Sequence, residues 1–161
     1  MAGPALAAEQ ESVAWGQCAA EVPAEFSRGL TFGLSLAPFT RGDLMAALSA
    51  EMPLYRLRTG CWPVALSVRG TVAELIDFSA PPVASVSAVV RLESGHVQPY
   101  LGTGVGLAWL KAGQKVSPLA EWGVLAGLRI PIDGRWGARV ELTGSPVYNA
   151  YAGAVGVEFS L

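Results

Sequence analysis

The chain has 161 residues, 52% of them hydrophobic and 15% charged, with a net charge of -2. This length suits one domain, the mean hydropathy is positive, and there is no basic run of the kind that nucleic acid recruits. Helical membrane crossing is excluded too. The longest uncharged windows, Ser94 to Leu110 and Leu142 to Val157, are interrupted by glycine and proline, and a spanning helix needs roughly 18 or more consecutive apolar residues.

In chain order, residues 1–25 read as an N-terminal tail, Ala-rich and then acidic and unpatterned. Ala5-Leu6-Ala7 resembles an A-x-A cleavage site, so residues 1–8 are either a trimmed signal-peptide remnant or simply an Ala-rich end. From Phe26 the period becomes two. Arg28, Leu30, Phe32, Leu34 and Leu36 share one face of a first strand against Gly29, Thr31, Gly33 and Ser35. Leu44, Leu48 and Met52 oppose Ala47, Ser49 and Glu51 in a second, and a polar connection from Leu54 to Gly60 is expected next. Trp62, Val64, Leu66 and Val68 oppose Ala65, Ser67 and Arg69 in a third; Val86, Ala88, Val90 and Leu92 oppose Ser85, Ser87 and Arg91 in a fourth. Val97, Leu101, Val105, Leu107 and Trp109 oppose Gln98, Tyr100, Gly102, Gly104 and Gly106 in a fifth, with a loop expected at Lys111 to Pro118. Asp133-Gly134 joins the sixth and seventh, since Asp-Gly between two alternating segments is a strong hairpin signal. Trp122, Leu128, Ile130, Trp136, Val140 and Leu142 lie on one face of that hairpin; Glu121, Arg129, Arg139 and Glu141 lie on the other. An eighth strand sets Tyr151, Val155, Val157, Phe159 and Leu161 against Ala152, Ala154, Gly156 and Glu158.

The bulky face is apolar and the small face carries the charges, the inverse of a soluble sandwich. Hydrocarbon suits the first face. In lipid only helices and closed barrels satisfy every backbone group, so the expected fold is all-β: an eight-stranded antiparallel up-and-down transmembrane β-barrel over residues 26–161, with short turns. With both termini periplasmic, the connections near 54–60, 93–96 and 133–134 share the periplasmic side. Those near 38–43, 74–82, 111–118 and 144–149 are then external. Trp62 and Trp136 fall at one interface and Trp109 and Trp122 at the other, with Tyr151 and Phe159 completing an aromatic girdle, because such rings are apolar with a polar handle. Cys18 and Cys61 match no zinc or C-x-x-C spacing and fall on one side, where a disulfide is expected.

The inward parity collects Glu51, Arg69, Arg91, Glu121, Arg129, Arg139, Glu141 and Glu158. Turning the strands over would place them in lipid at roughly 2 to 4 kcal/mol for each mid-membrane Arg. Inside, the acids and bases are expected to pair and to plug a lumen just wide enough for side chains, with inward glycines making room. An ion path or gate is the alternative. His96, the only histidine, falls in a turn near Ser94. Asp43, Glu74 and Asp77 are scattered loop carboxylates rather than a calcium-binding pattern.

P-Y-L-G-T-G-V-G-L-A-W at Pro99 to Trp109 and E-W-G-V-L-A-G-L-R-I-P-I-D-G-R-W-G-A-R-V-E-L from Glu121 resemble strands of small outer-membrane barrels of the OmpA, OmpX and OmpW kind. The likeness is one of pattern over Phe26 to Leu161. It implies a bacterial outer-membrane protein with lipid, and another envelope protein, as partners, and with no cofactor, metal or nucleic acid. Within these residues no peptidoglycan-binding domain follows the barrel, so wall anchoring is not implied. Barrel enzymes that act on lipid A use a histidine with a serine at the outer face, whereas His96 is expected on the periplasmic side. The expectation is therefore a non-enzymatic structural or envelope-interaction protein. Three alternatives remain: a narrow pore, a lipid-modifying enzyme, and a lipocalin-like binder, which would need a large apolar inner face.

Overall fold

The computed structural model describes residues 29–38, 44–59, 62–76, 82–93, 96–112, 115–145 and 150–161, apart from the side chains of 58, 59, 62, 109–112, 115–117, 145 and 150. The described chain is almost entirely strand. The strands are β1 (Thr31–Pro38), β2 (Leu44–Thr59), β3 (Trp62–Leu75), β4 (Val83–Leu92), β5 (Gln98–Ala112), β6 (Lys115–Pro131), β7 (Trp136–Ser145) and β8 (Ala150–Ser160). Each pairs antiparallel with its neighbours in sequence. β1 then meets β8, from Thr31↔Ser160 to Leu36↔Val155, and the sheet closes into an eight-stranded barrel. Closure leaves no row of unpaired backbone groups at a sheet edge, which in hydrocarbon would cost several kcal/mol per group.

The alternation decides which way the barrel faces. Leu48, Leu101, Val105 and Val155 are 65%, 66%, 64% and 60% exposed, whereas Glu51, Arg69 and Arg139 are 4%, 2% and 3% exposed. Large aliphatic side chains sheathe the outside, and Glu51, Arg69 and Arg139 lie within. Such a surface is stable only against hydrocarbon, so the strands are the membrane-crossing elements.

Two belts of rings bound this sheath. At the end of the barrel where β8 terminates, Trp136 pairs with Phe159 across the ladder, ring centroids 5.0 Å apart. At the other end Tyr151 pairs with Gly144 and Gly144 with Val124, two residues from Trp122 on the same face. Tyr151 and Phe159 are eight residues apart on β8. That is about 26 Å of strand, shortened by a tilt of roughly 40° to about 20 Å, close to the apolar band of a membrane barrel.

The strands run further than the alternation suggested. Residues 54–60, expected to be a polar connection, are mostly strand: beyond an irregularity between Pro53 and Tyr55, Tyr55 to Thr59 pair with Leu66 to Trp62. Pro53 has no N–H for the ladder, and the extra residue, Leu54, is accommodated as a bulge that shifts parity by one. Tyr55 and Leu57 therefore continue the exposed apolar face of Met52. Similarly, 111–112 and 115–118, expected to be loop, are strand, since β5 and β6 stay paired to Ala112↔Lys115. Cys18, Cys61 and the tail through residue 28 lie outside the described residues.

Candidate functional site

The inward-facing charges meet in one layer of the lumen, near the end where β8 terminates. Glu51 on β2 is its hub. Its Oε2 accepts from Arg69 Nη2 at 2.7 Å and from Arg69 Nε at 2.9 Å, and its Oε1 accepts from Ser67 Oγ at 2.7 Å and from Arg91 Nη2. The two nitrogens of Arg69 on one carboxylate show why arginine suits this position, because its planar fork binds carboxylates through several donors at once. Arg69 Nη1 also reaches Glu141 on β7, across the lumen. Tyr100 on β5 donates its hydroxyl to the same Glu141 oxygen at 2.8 Å, and the Arg69 guanidinium stands 4.9 Å from the Tyr100 ring centroid.

A second group adjoins the first. Glu158 on β8 lies 2.7 Å from Arg129 Nε and 3.3 Å from Arg139 Nη1. Serines take up remaining donors: Arg139 reaches Ser49 at 3.2 Å and Ser35 at 3.3 Å, and Arg129 reaches Ser160 at 3.0 Å. Backbone choice makes this packing possible. A Cβ on Gly33 would stand 2.6 Å from Ser49 Oγ and 3.2 Å from the Arg139 guanidinium, and one on Gly127 would stand 2.5 Å from the Tyr100 hydroxyl and from the Val140 carbonyl oxygen. At Gly127 the backbone oxygen cannot step aside, so this close approach calls for glycine. Beside this layer Val89, Tyr100 and Leu125 form a small buried apolar knot.

Seven of the eight inward charged residues are thus brought together. Glu121 is not among them. The row of paired residues from Gly33 runs through Ser49, Thr71, Ser85 and Gly106 to Glu121, while Gly33 closes the barrel against Glu158. The row climbs the wall as it turns, and Glu121 ends far up β6. It has no ionic partner among the described residues.

Tyr100, Ser35, Ser49, Ser67 and Ser160 were not singled out from the sequence as part of this network. Their inward parity was the available signal, together with the rule that a buried guanidinium needs several acceptors. Val89 was missed because it is a large apolar residue on the small face. Of the girdle, Trp122, Trp136 and Tyr151 are exposed and Phe159 is half-buried against Trp136; Trp62 and Trp109 lie in β3 and β5 with side chains outside the description. His96 is exposed in the β4–β5 connection. Ser94, Asp43 and Asp77 are outside the described residues, and among those described no group of His, Cys, Asp and Glu is placed to hold a metal.

The closed eight-stranded sheet, its apolar sheath and its inward charges define a transmembrane barrel, and the fold is that of small outer-membrane proteins. The N-terminal β-barrel domain of Pseudomonas aeruginosa OprF is similar at a TM-score of 0.57 and 14% identity, over 85% of this chain and 100% of that one. The outer membrane enzyme PagL is similar at 0.52 and 10% identity, over 81% of this chain and 98% of that one. A structure from the de novo design of transmembrane β-barrels matches at 0.52 and 10% identity, over 85% of this chain and 100% of the designed one. No protein-family model and no curated protein matches the sequence. At these identities the likeness speaks for the fold alone, which hosts unrelated functions.

Proposed function

We propose that this chain is a non-enzymatic protein of the bacterial outer membrane whose barrel is shut by its own charges, and whose role is structural or an interaction within the envelope. Lipid is its first partner, with another envelope protein as the second. One observation carries the reading: the layer of Arg69, Arg91, Arg129 and Arg139 with Glu51, Glu141 and Glu158 crosses the lumen from β2 to β8. An eight-stranded barrel has an interior that side chains can fill, and ion-paired side chains resist displacement because each partner left alone would be a buried, uncompensated charge.

A narrow pore is the second reading. It is favoured by the small residues lining the other part of the lumen and by Glu121 among them. Planar-bilayer recording of the purified protein separates the two. A flat trace at physiological salt is expected; discrete conductance steps would replace the structural role by the pore.

A further inference from the structure

The charges of the closing layer do not balance. Four arginines, Arg69, Arg91, Arg129 and Arg139, face three glutamates, Glu51, Glu141 and Glu158, among the described residues; Glu93, two residues beyond Arg91, is matched by Arg56 at 2.8 Å and adds a balanced pair that leaves the difference unchanged. The carboxylate that would even the count, Glu121, lies eight residues along β6 from Arg129, about 26 Å of strand away. On a protein surface one surplus charge is dispersed by water and salt. Here Arg69, Arg91 and Arg139 are 2%, 7% and 3% exposed and the Arg129 side chain 15%, and an unmatched ion so far from water is expensive. A buried lysine would relieve this by releasing its proton, but a guanidinium cannot. The balancing charge has to be an anion.

A second observation places it. Arg91 Nε is a buried donor with no acceptor among the described residues, and so is Arg139 Nε. Arg91 also feels repulsion from Arg129, alongside attraction from Glu158 and Glu93. On the lumen wall β5 stands between the two: Arg91 on β4 pairs with Tyr100, and Arg129 on β6 pairs with Gln98, two residues away on the same strand and face. Two like charges thus share one face of the wall, one with a donor unspent, and an amide-bearing residue, Gln98, lies on the strand between them.

We propose that the lumen binds one small monovalent inorganic anion, of the chloride class, between Arg91 and Arg129. A single charge matches the surplus. Small size matches a lumen that side chains already fill. This goes beyond the closed-barrel reading: the anion is a bound structural ion, and it makes neutral a layer that the protein's own residues leave positive.

The test is equilibrium unfolding of the full chain by urea in non-ionic detergent, followed by tryptophan fluorescence. Sodium chloride is exchanged for sodium gluconate at fixed ionic strength, which holds general screening constant. Above the dissociation constant, a tenfold rise in chloride is expected to raise the folded-to-unfolded ratio about tenfold, the signature of one anion bound only by the folded state. Arg129→Gln removes the surplus charge and leaves Glu158 paired with Arg139, so this variant is expected to fold and to lose the chloride dependence. Arg91→Gln is expected to lose it too, and Arg135→Gln, exposed in the turn between β6 and β7, to keep it. Identical wild-type curves in chloride and gluconate overturn the proposal, as does a dependence that survives in both lumen variants. Crystals grown in bromide give a readout that does not depend on variants folding. An anomalous peak within hydrogen-bond reach of Arg91 Nε is expected, and its absence there overturns the site.

Discussion

The two parts of the lumen are built on the same strands with the same parity, yet they hold different contents. Near the end of β8 the inward positions include Glu51, Arg69, Arg91, Tyr100, Arg139 and Glu158, large and polar, with serines and glycines fitted between them. Toward the other end, along the same strands, they are Ala47, Thr71, Ser85, Gly104, Gly106, Ala152 and Ala154. The lumen is therefore filled unevenly, and a carboxylate at either end should have very different worth.

The largest expected effect tests that difference directly. Glu51→Ala removes the acceptor shared by Arg69 and Arg91 and leaves both guanidinia buried without it, at a cost of about 3–5 kcal/mol. Glu121→Ala removes a carboxylate with no ionic partner among the described residues and is expected to stay within about 0.5 kcal/mol of wild type. Urea midpoints in detergent give both numbers. Comparable losses in the two variants would mean that the lumen is not divided as described. A somewhat smaller effect concerns the wall that both parts share. Val155→Arg places a charge on the sheath midway between Tyr151 and Phe159 and is expected to cost roughly 2–4 kcal/mol in a bilayer. A change below about 1 kcal/mol would mean that this face does not meet hydrocarbon.

How much of this was legible depended on what carried the signal. The barrel was, because a two-residue period survives in every strand and because the inverted placement of bulk and charge has one stable interpretation. Membership of the charge layer was legible only as parity. Glu121 shares a face with Arg129, and face alone cannot tell that the climb of the sheet separates them by much of the lumen's length. That separation comes from the stagger of eight strands, which is set at closure by pairs such as Gly33↔Glu158. Strand ends were hidden for a different reason. The segment Y-R-L-R-T at Tyr55 to Thr59 alternates as the strands do but one residue out of step, and a period displaced by the bulge after Pro53 looks like its loss. The serines of the network were obscured by their small size, since Ser49 and Ser67 read as filler until Arg139 and Glu51 are seen beside them.

The smallest expected effect lies outside the lumen, in the turn between β6 and β7. The Asp133 carboxylate accepts from the backbone N–H of Trp136 at 2.6 Å and of Arg135 at 2.7 Å. Those two hydrogen bonds, the Trp136 one foremost, hold its carboxyl below the usual carboxylate range. A depressed folded value means that the contribution to stability is complete above the unfolded value of about 3.9 and is lost as the pH falls through the folded one. Asp133→Asn keeps an acceptor of the same shape without the charge. Wild type is thus expected to be the more stable at pH 7, with the gap closing as the pH drops below about 3.9. Every other ionisable group is common to both proteins, so the difference between their urea midpoints, measured from pH 7 to pH 3, isolates the turn. A gap that does not change with pH would mean that Asp133 acts through its shape and not its charge. Neutralising a carboxylate on the rim would then remain a small event beside neutralising Glu51 in the charged layer.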